Sequence, residues 1–138
     1  MTDRRSQLGR LGEQLAAEHL VRRGFQIVER NYRTRWGELD IVAFDGQTLA
    51  FCEVKTRRAS TVGGSPLGGS PFGGSPLGVS PLDAVRMPKR NQVRKMAGRW
   101  LIERTDRPHA DTLRFDAIGI TLDRRGRLVS LEHLEGAF

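Results

Sequence analysis

Apolar residues recur at helical spacing across residues 6–23. Leu8, Leu11, Gly12, Leu15, Ala16 and Leu20 form one stripe, and Gly24 stops the run. Arg10, Glu18, Arg22 and Arg23 lie off that stripe. Glu13 is one residue step, roughly 100°, round from Gly12, which puts it on the flank of the packing face. The pattern then changes period. Residues 25–32 read as a first strand, 36–44 as a second and 48–56 as a third, with Asp45-Gly46 as a hairpin turn. Residues 88–104 return to helical spacing: Val93, Met96, Ala97, Trp100 and Leu101 mark the apolar face, and Pro88 suits the first turn. Residues 113–122 and 128–134 read as two further strands around a turn at Asp123-Arg124-Arg125-Gly126. The order α-β-β-β-α-β-β predicts a mixed α/β domain.

The pattern fails between residues 57 and 82. Gly63-Gly64-Ser65-Pro66-Leu67 is followed by three variants of itself, ending at Leu82. Such a composition favours coil over a packed element. The sequence thus predicts a single domain over 1–138 that carries a low-complexity flexible loop at 60–82. Loop closure costs only the logarithm of length, so expanding a short loop in this way costs roughly 0.8 kcal/mol.

Composition narrows the class. A chain of 138 residues with 28% charged residues is long enough for one hydrophobic core. The single cysteine, Cys52, excludes an internal disulfide and a cysteine-rich zinc site, and suits a reducing cytoplasm. No apolar run approaches the roughly 20 residues of a membrane span, and the N-terminus lacks the apolar core of a signal peptide. The expectation is a cytoplasmic protein with no membrane partner. The formal net charge is +7, and only Lys55, Lys89 and Lys95 among the 23 basic residues are lysines. Excess positive charge draws a domain to polyanions, and arginine forks suit phosphate.

Candidate chemistry centres on the hairpin. Strict alternation puts Glu38, Asp40 and Val42 on one face of the second strand, and Leu49, Phe51, Glu53 and Lys55 on one face of the third. Asp40 and Glu53 converge if those faces match. Two carboxylates among Leu39, Ile41, Phe51 and Val54 need compensation, which a hard cation such as Mg²⁺ or Mn²⁺ supplies. Lys55 then falls where a cation can hold an attacking water or neutralise developing charge, and Glu13 can complete the metal shell. Arg33, Arg35, Arg57, Arg58 and Lys89 are candidate phosphate contacts. The plainer reading of the same residues is a strand-edge Asp and a cross-strand Glu–Lys pair on a solvated face.

Other residues favour structural roles. Trp36 is expected to pack in the core more readily than to stack on a base, and Trp100 belongs to the core. Cys52 points away from Glu53 and Lys55 as a small buried hydrophobe. His19, His109 and His133 show no zinc spacing. Gln92 is expected on a solvated face, and Asp116 has no assigned role.

Gly9-Arg10-Leu11-Gly12-Glu13, Gly24-Phe25, Asn31-Tyr32, Gly37-Glu38-Leu39-Asp40-Ile41-Val42-Ala43 and Glu53-Val54-Lys55-Thr56-Arg57 together resemble the YraN-like family of small bacterial proteins. The resemblance continues through Ser80-Pro81-Leu82-Asp83-Ala84-Val85, Lys89 and Arg114-Phe115-Asp116. It implies membership of the PD-(D/E)XK, restriction-endonuclease-like superfamily, near the Holliday junction resolvases. The implied fold is a restriction-endonuclease-like core with about five strands. Asp40, Glu53 and Lys55 match that superfamily's acid-and-lysine motif, and Glu13 matches its helix-borne acid. The implied function is a metal-dependent DNA endonuclease, structure-selective and acting in repair or recombination, with a homodimer as the expected assembly. A non-catalytic nucleic-acid-binding or scaffolding module is the alternative, and a module docking an acidic protein partner is a third.

Overall fold

A computed structural model describes the backbone of residues 4–59 and 87–137, with side chains described over 7–59 and 92–137. The elements run α1 (Arg4–Arg22), β1 (Gln26–Thr34), β2 (Gly37–Phe44), β3 (Thr48–Arg58), α2 (Met87–Glu103), β4 (Thr112–Leu122) and β5 (Leu128–Leu134). This is the order expected from the pattern. The pentapeptide repeat and the side chain of Lys89 lie outside the described residues.

Helix α1 ends as its sequence dictates. Gly24 takes a φ of +92°, which costs glycine little. The Phe25 amide then bonds the Leu20 carbonyl at 2.9 Å, and the Gly24 amide bonds Val21 at 3.0 Å. That pairing satisfies two carbonyls the helix end would leave open, and it turns Phe25 back onto Leu20 in the core.

The five strands form one sheet in the order β1-β2-β3-β4-β5. β1–β2, β2–β3 and β4–β5 are antiparallel, whereas β3 and β4 are parallel. Parallel neighbours require a crossover, and α2 lies within it. The sheet is therefore covered on both faces. Ala16, Ala17 and Leu20 of α1 pack on Ile41, Ala43, Ala50, Cys52, Ile118 and Ile120. Val93, Met96, Ala97 and Trp100 of α2 pack on Tyr32, Leu39, Val42, Leu49 and Phe51. A mixed five-stranded sheet between two helices is the restriction-endonuclease-like arrangement the sequence implied. No helix among the described residues is long and apolar enough to cross a membrane.

Two details position the site. Gly12 lets α1 approach β3 closely, because a Cβ there would lie 1.8 Å from the Thr56 hydroxyl oxygen. In addition, the β2–β3 ladder runs only from Phe44↔Leu49 to Ile41↔Cys52. Beyond Ile41 the strands part, while β3 continues alongside β4 to Arg58.

Candidate metal centre

The parting of β2 and β3 opens a fork at Asp40. Leu39 and Ile41 are two residues apart, yet they pack into the clusters on opposite faces of the sheet. The simple alternation expected over Glu38, Asp40 and Val42 therefore breaks. Val42 lies on the α2 side, but Asp40 lines a cleft together with Leu8, Gly9 and Glu13 of α1. The break coincides with the point where β2 parts from β3 while staying paired with β1, and it leaves Asp40 on the α1 side.

The Val54 amide donates to Asp40 Oδ2 at 2.8 Å, so the Asp40 carboxylate spans the fork in place of a backbone bond. The cleft has a volume of about 690 Å³, and Glu38, Glu53, Lys55 and Arg57 also line it. Glu13, Glu38 and Asp40 each offer a carboxylate oxygen, and these oxygens lie within 4.8 Å of one another. Three carboxylate oxygens gathered in this way are the donor chemistry that a hard divalent cation takes.

The electrostatics match that crowding. Asp40 is only 8% exposed. Burial, reinforced by the charges of Glu13, Glu38 and Glu53, pushes its carboxyl up to about 7 against the opposing bond from Val54. Burial also raises Glu13 above the usual carboxylate range, with Glu38 adding to it; a hydrogen bond from Asn31 and the charges of Arg30 and Arg33 pull the other way. Asn31 has a φ of +58°, the left-handed region that Asn tolerates better than most residues.

The candidate residues are distributed as follows. Glu13 and Asp40 come together. Glu53 and Lys55 line the same cleft, and the Glu53 charge acts on Asp40, but Glu53 lies outside the tight three-oxygen set. Glu38 takes that place. Its position two residues before Asp40, on the same face of the strand, is the sequence signal for it. Arg33 bonds Glu38 at 3.1 Å, and Arg57 lines the cleft. Arg58 is turned elsewhere: it donates to the carbonyls of Asp123 and Arg124 in the β4–β5 turn.

Trp36 departs from its expected core packing. It is 44% exposed, with the Arg35 guanidinium 4.5 Å from its ring centroid. Gln92 is exposed but reaches the site's surroundings, where it donates to the Trp36 carbonyl and lines a second cavity with Glu38, Glu53 and Met96. Trp100 and Cys52 are buried as expected, at 0% and 1% exposure. Asp116 belongs to a separate buried network. It accepts from Arg114 at 2.8 and 2.9 Å and from the Gly136 amide at 3.1 Å, and it lies 2.8 Å from His133 Nε2.

Fold and site together define a restriction-endonuclease-like α/β domain with a carboxylate cleft at a strand fork. The chain belongs to the uncharacterised protein family UPF0102, whose profile matches residues 12–120. It is 43% identical over 132 residues to a UPF0102 protein of Parafrankia sp. (strain EAN1pec), covering 95% of both chains. A Mycobacterium avium (strain 104) relative is 40% identical over 96% of this chain and 90% of its own. A relative from Pelotomaculum thermopropionicum is 36% identical over the full length of both. This is the family whose motifs the sequence carries.

Proposed function

We propose that this protein is a divalent-metal-dependent endonuclease that hydrolyses DNA phosphodiesters, structured DNA of repair or recombination included, in the cleft at the β2–β3 fork. The observation that carries the reading is the contrast between two buried carboxyls. Asp116 is surrounded by an arginine fork, a histidine and a backbone amide. Asp40 has one backbone amide and three neighbouring carboxylates, and no ion pair to it occurs among the described residues. A buried anion in that setting is stable only with a proton or a cation beside it.

Glu13, Glu38 and Asp40 would hold the cation, with Glu53 beside them. Bound there, a Mg²⁺ or Mn²⁺ ion supplies charge neutralisation at the phosphate and lowers the pKa of water. Lys55 offers its ammonium to a phosphate oxygen or to the attacking water. Arg57 adds positive charge along the same wall. Water adds to phosphorus, the P–O bond to one strand terminus breaks, and the displaced oxygen takes a proton.

The test is a cleavage panel of linear, single-stranded and branched DNA with Mg²⁺ and Mn²⁺. Wild type is expected to cut, and Asp40→Asn, Glu53→Gln and Lys55→Ala are expected to lose cutting by at least about a hundredfold while still binding DNA. Wild-type rates in all three variants would sink the site. The alternative of a non-catalytic nucleic-acid-binding or scaffolding module draws on the ion pairs Arg33–Glu38 at 3.1 Å and Arg30–Glu13 at 3.9 Å, which compensate part of the acidity internally. It predicts DNA binding with no cutting and no metal-induced stabilisation in any variant.

A further inference from the structure

The turn between β1 and β2 presents an aromatic ring that the cleavage reading leaves unused. Trp36 is 44% exposed, in contrast to Trp100 at 0%. Its backbone is held from both sides. The Trp36 amide donates to Thr34 Oγ1 at 3.0 Å, and Gln92 of α2 donates to its carbonyl. The next residue, Gly37, has a φ of +143°, and a Cβ there would lie 2.6 Å from Gln92 Nε2 and 3.2 Å from Met96 Sδ. The turn is thus seated directly on α2, and the chain turns through a conformation that favours glycine. The ring itself is left outside the core, with the Arg35 guanidinium over it at 4.5 Å.

Fixing a backbone this firmly while exposing its indole does little for the fold, because burying a tryptophan is among the larger apolar gains open to a chain. The location gives the exposure a use. Trp36 precedes Glu38 by two residues and Asp40 by four, so the backbone separations are at most roughly 7 Å and roughly 14 Å. That is about two to four nucleotide rises on a stacked strand. Arginine and an aromatic ring within a few residues of the acids that line the cleft form the pairing that holds unstacked bases: the cation meets the backbone and the ring meets the base. Bases inside a regular duplex are stacked on each other and have no free face to offer.

From this juxtaposition we infer that Trp36, supported by Arg35, is a specificity-determining residue that stacks on an unpaired base a few nucleotides from the bond to be cut. The substrate class is DNA with an unstacked nucleotide: a single strand, bulge, flap or branch point. This rests on the nuclease reading for the position of the scissile bond, but the stacking contact is measurable without turnover.

The experiment uses the emission of the full-length protein without added divalent cation. Trp100 is buried, so contact quenching reports Trp36. The probes are a blunt duplex, the same duplex with a short bulge, and one of its strands alone. Saturable quenching by the bulged and single-stranded probes, with little from the blunt duplex, is expected. Trp36→Ala should weaken binding of the first two roughly tenfold and leave the blunt duplex unchanged, with Trp36→Phe retaining most of the affinity. The near-ultraviolet dichroism of Trp100 checks that the variants are folded. Binding without quenching, equal quenching by the blunt duplex, or an Ala variant that binds the bulged probe as tightly as wild type overturns the inference. Quenching by the bulged probe with no cutting in Mg²⁺ or Mn²⁺ sinks the nuclease reading and leaves the stacking contact standing. Cutting with no quenching does the reverse.

Discussion

Two buried aspartates in this chain face opposite consequences of the same burial. Burial raises the Asp116 carboxyl, but hydrogen bonds from His133, Arg114 and the Gly136 amide outweigh it and bring the group below its ordinary value. Its folded pKa lies beneath the unfolded one, so its contribution to stability is present above about pH 4 and is lost as pH falls through the folded value. Asp116→Asn leaves the Arg114 guanidinium and His133 facing a neutral amide. It is expected to cost about 3 kcal/mol at pH 7, read by urea denaturation, and to flatten acid unfolding. Asp40 behaves in the opposite sense. Its folded value of about 7 exceeds its unfolded one, so without metal its ionisation destabilises the fold as pH rises from about 4 through 7. In chelator at pH 8, Asp40→Asn should therefore be more stable than wild type, by roughly 2 kcal/mol once relaxation around the group is allowed for. Mg²⁺ or Mn²⁺ should raise the melting temperature of wild type and leave the Asn variant unmoved. An Asp40→Asn protein no more stable than wild type in chelator would contradict the crowding described at the fork.

At the level of elements, the cleft depends on how closely α1 sits on β3. Alanine at a helix-interior glycine ordinarily gains about 1 kcal/mol. At Gly12 the added Cβ would lie 1.8 Å from Thr56 Oγ1 and 2.8 Å from Thr56 Cβ. Because β-branched Thr56 is stiff at its first side-chain torsion, the helix must shift. Overpacking of this kind costs about 1–3 kcal/mol. Gly12→Ala should thus be destabilising on balance, and it should weaken metal-induced stabilisation by moving Glu13 away from Glu38 and Asp40. Thr56→Ala removes the nearest atom and should recover part of the loss in a double-mutant cycle. The sequence showed that Gly12 belongs to an apolar stripe and that Glu13 flanks it, because periodicity reports which side of a helix faces inward. It carried no sign of the contact distance, which depends on Thr56, 44 positions later. The strand readings have the same limit. Alternation located β2 and β3 and their turn, yet it extrapolated one pleat through Asp40. The fork and the change of face between Leu39 and Ile41, which parts Asp40 from Val42, lie where β2 leaves β3, whereas Glu38 stays with Asp40 as alternation has it. The contacts of Arg58 are invisible to the pattern for a related reason, since they are carbonyls of a turn that only the sheet brings near.

Across the whole molecule, the charge is arranged as an acidic cleft set within a basic chain. The net charge is +7, while the cleft concentrates Glu13, Glu38, Asp40 and Glu53. Under the proposed function, a DNA backbone drawn to Lys55, Arg57 and Arg33 would approach a cluster of its own sign. Two measurements follow from that geometry. If Arg33, Arg35, Lys55 and Arg57 each neutralise one phosphate, binding should weaken with a slope of roughly −3 to −4 in log affinity against log salt, at about −0.9 per contact for duplex. Replacing Arg57 with alanine should then reduce that slope by about one. The acid cluster adds a second, independent dependence. Without divalent cation, Asp40→Asn and Glu13→Gln should each bind DNA more tightly than wild type, since a carboxylate facing a phosphate is removed. With Ca²⁺ or Mg²⁺ present the order should reverse, because wild type then carries the cation and the variants do not. A gel-shift titration of the three proteins, with and without cation at fixed ionic strength, reads both effects. Affinities that keep the same order in the two conditions would separate the acid cluster from the DNA path and place the phosphate elsewhere on the basic surface.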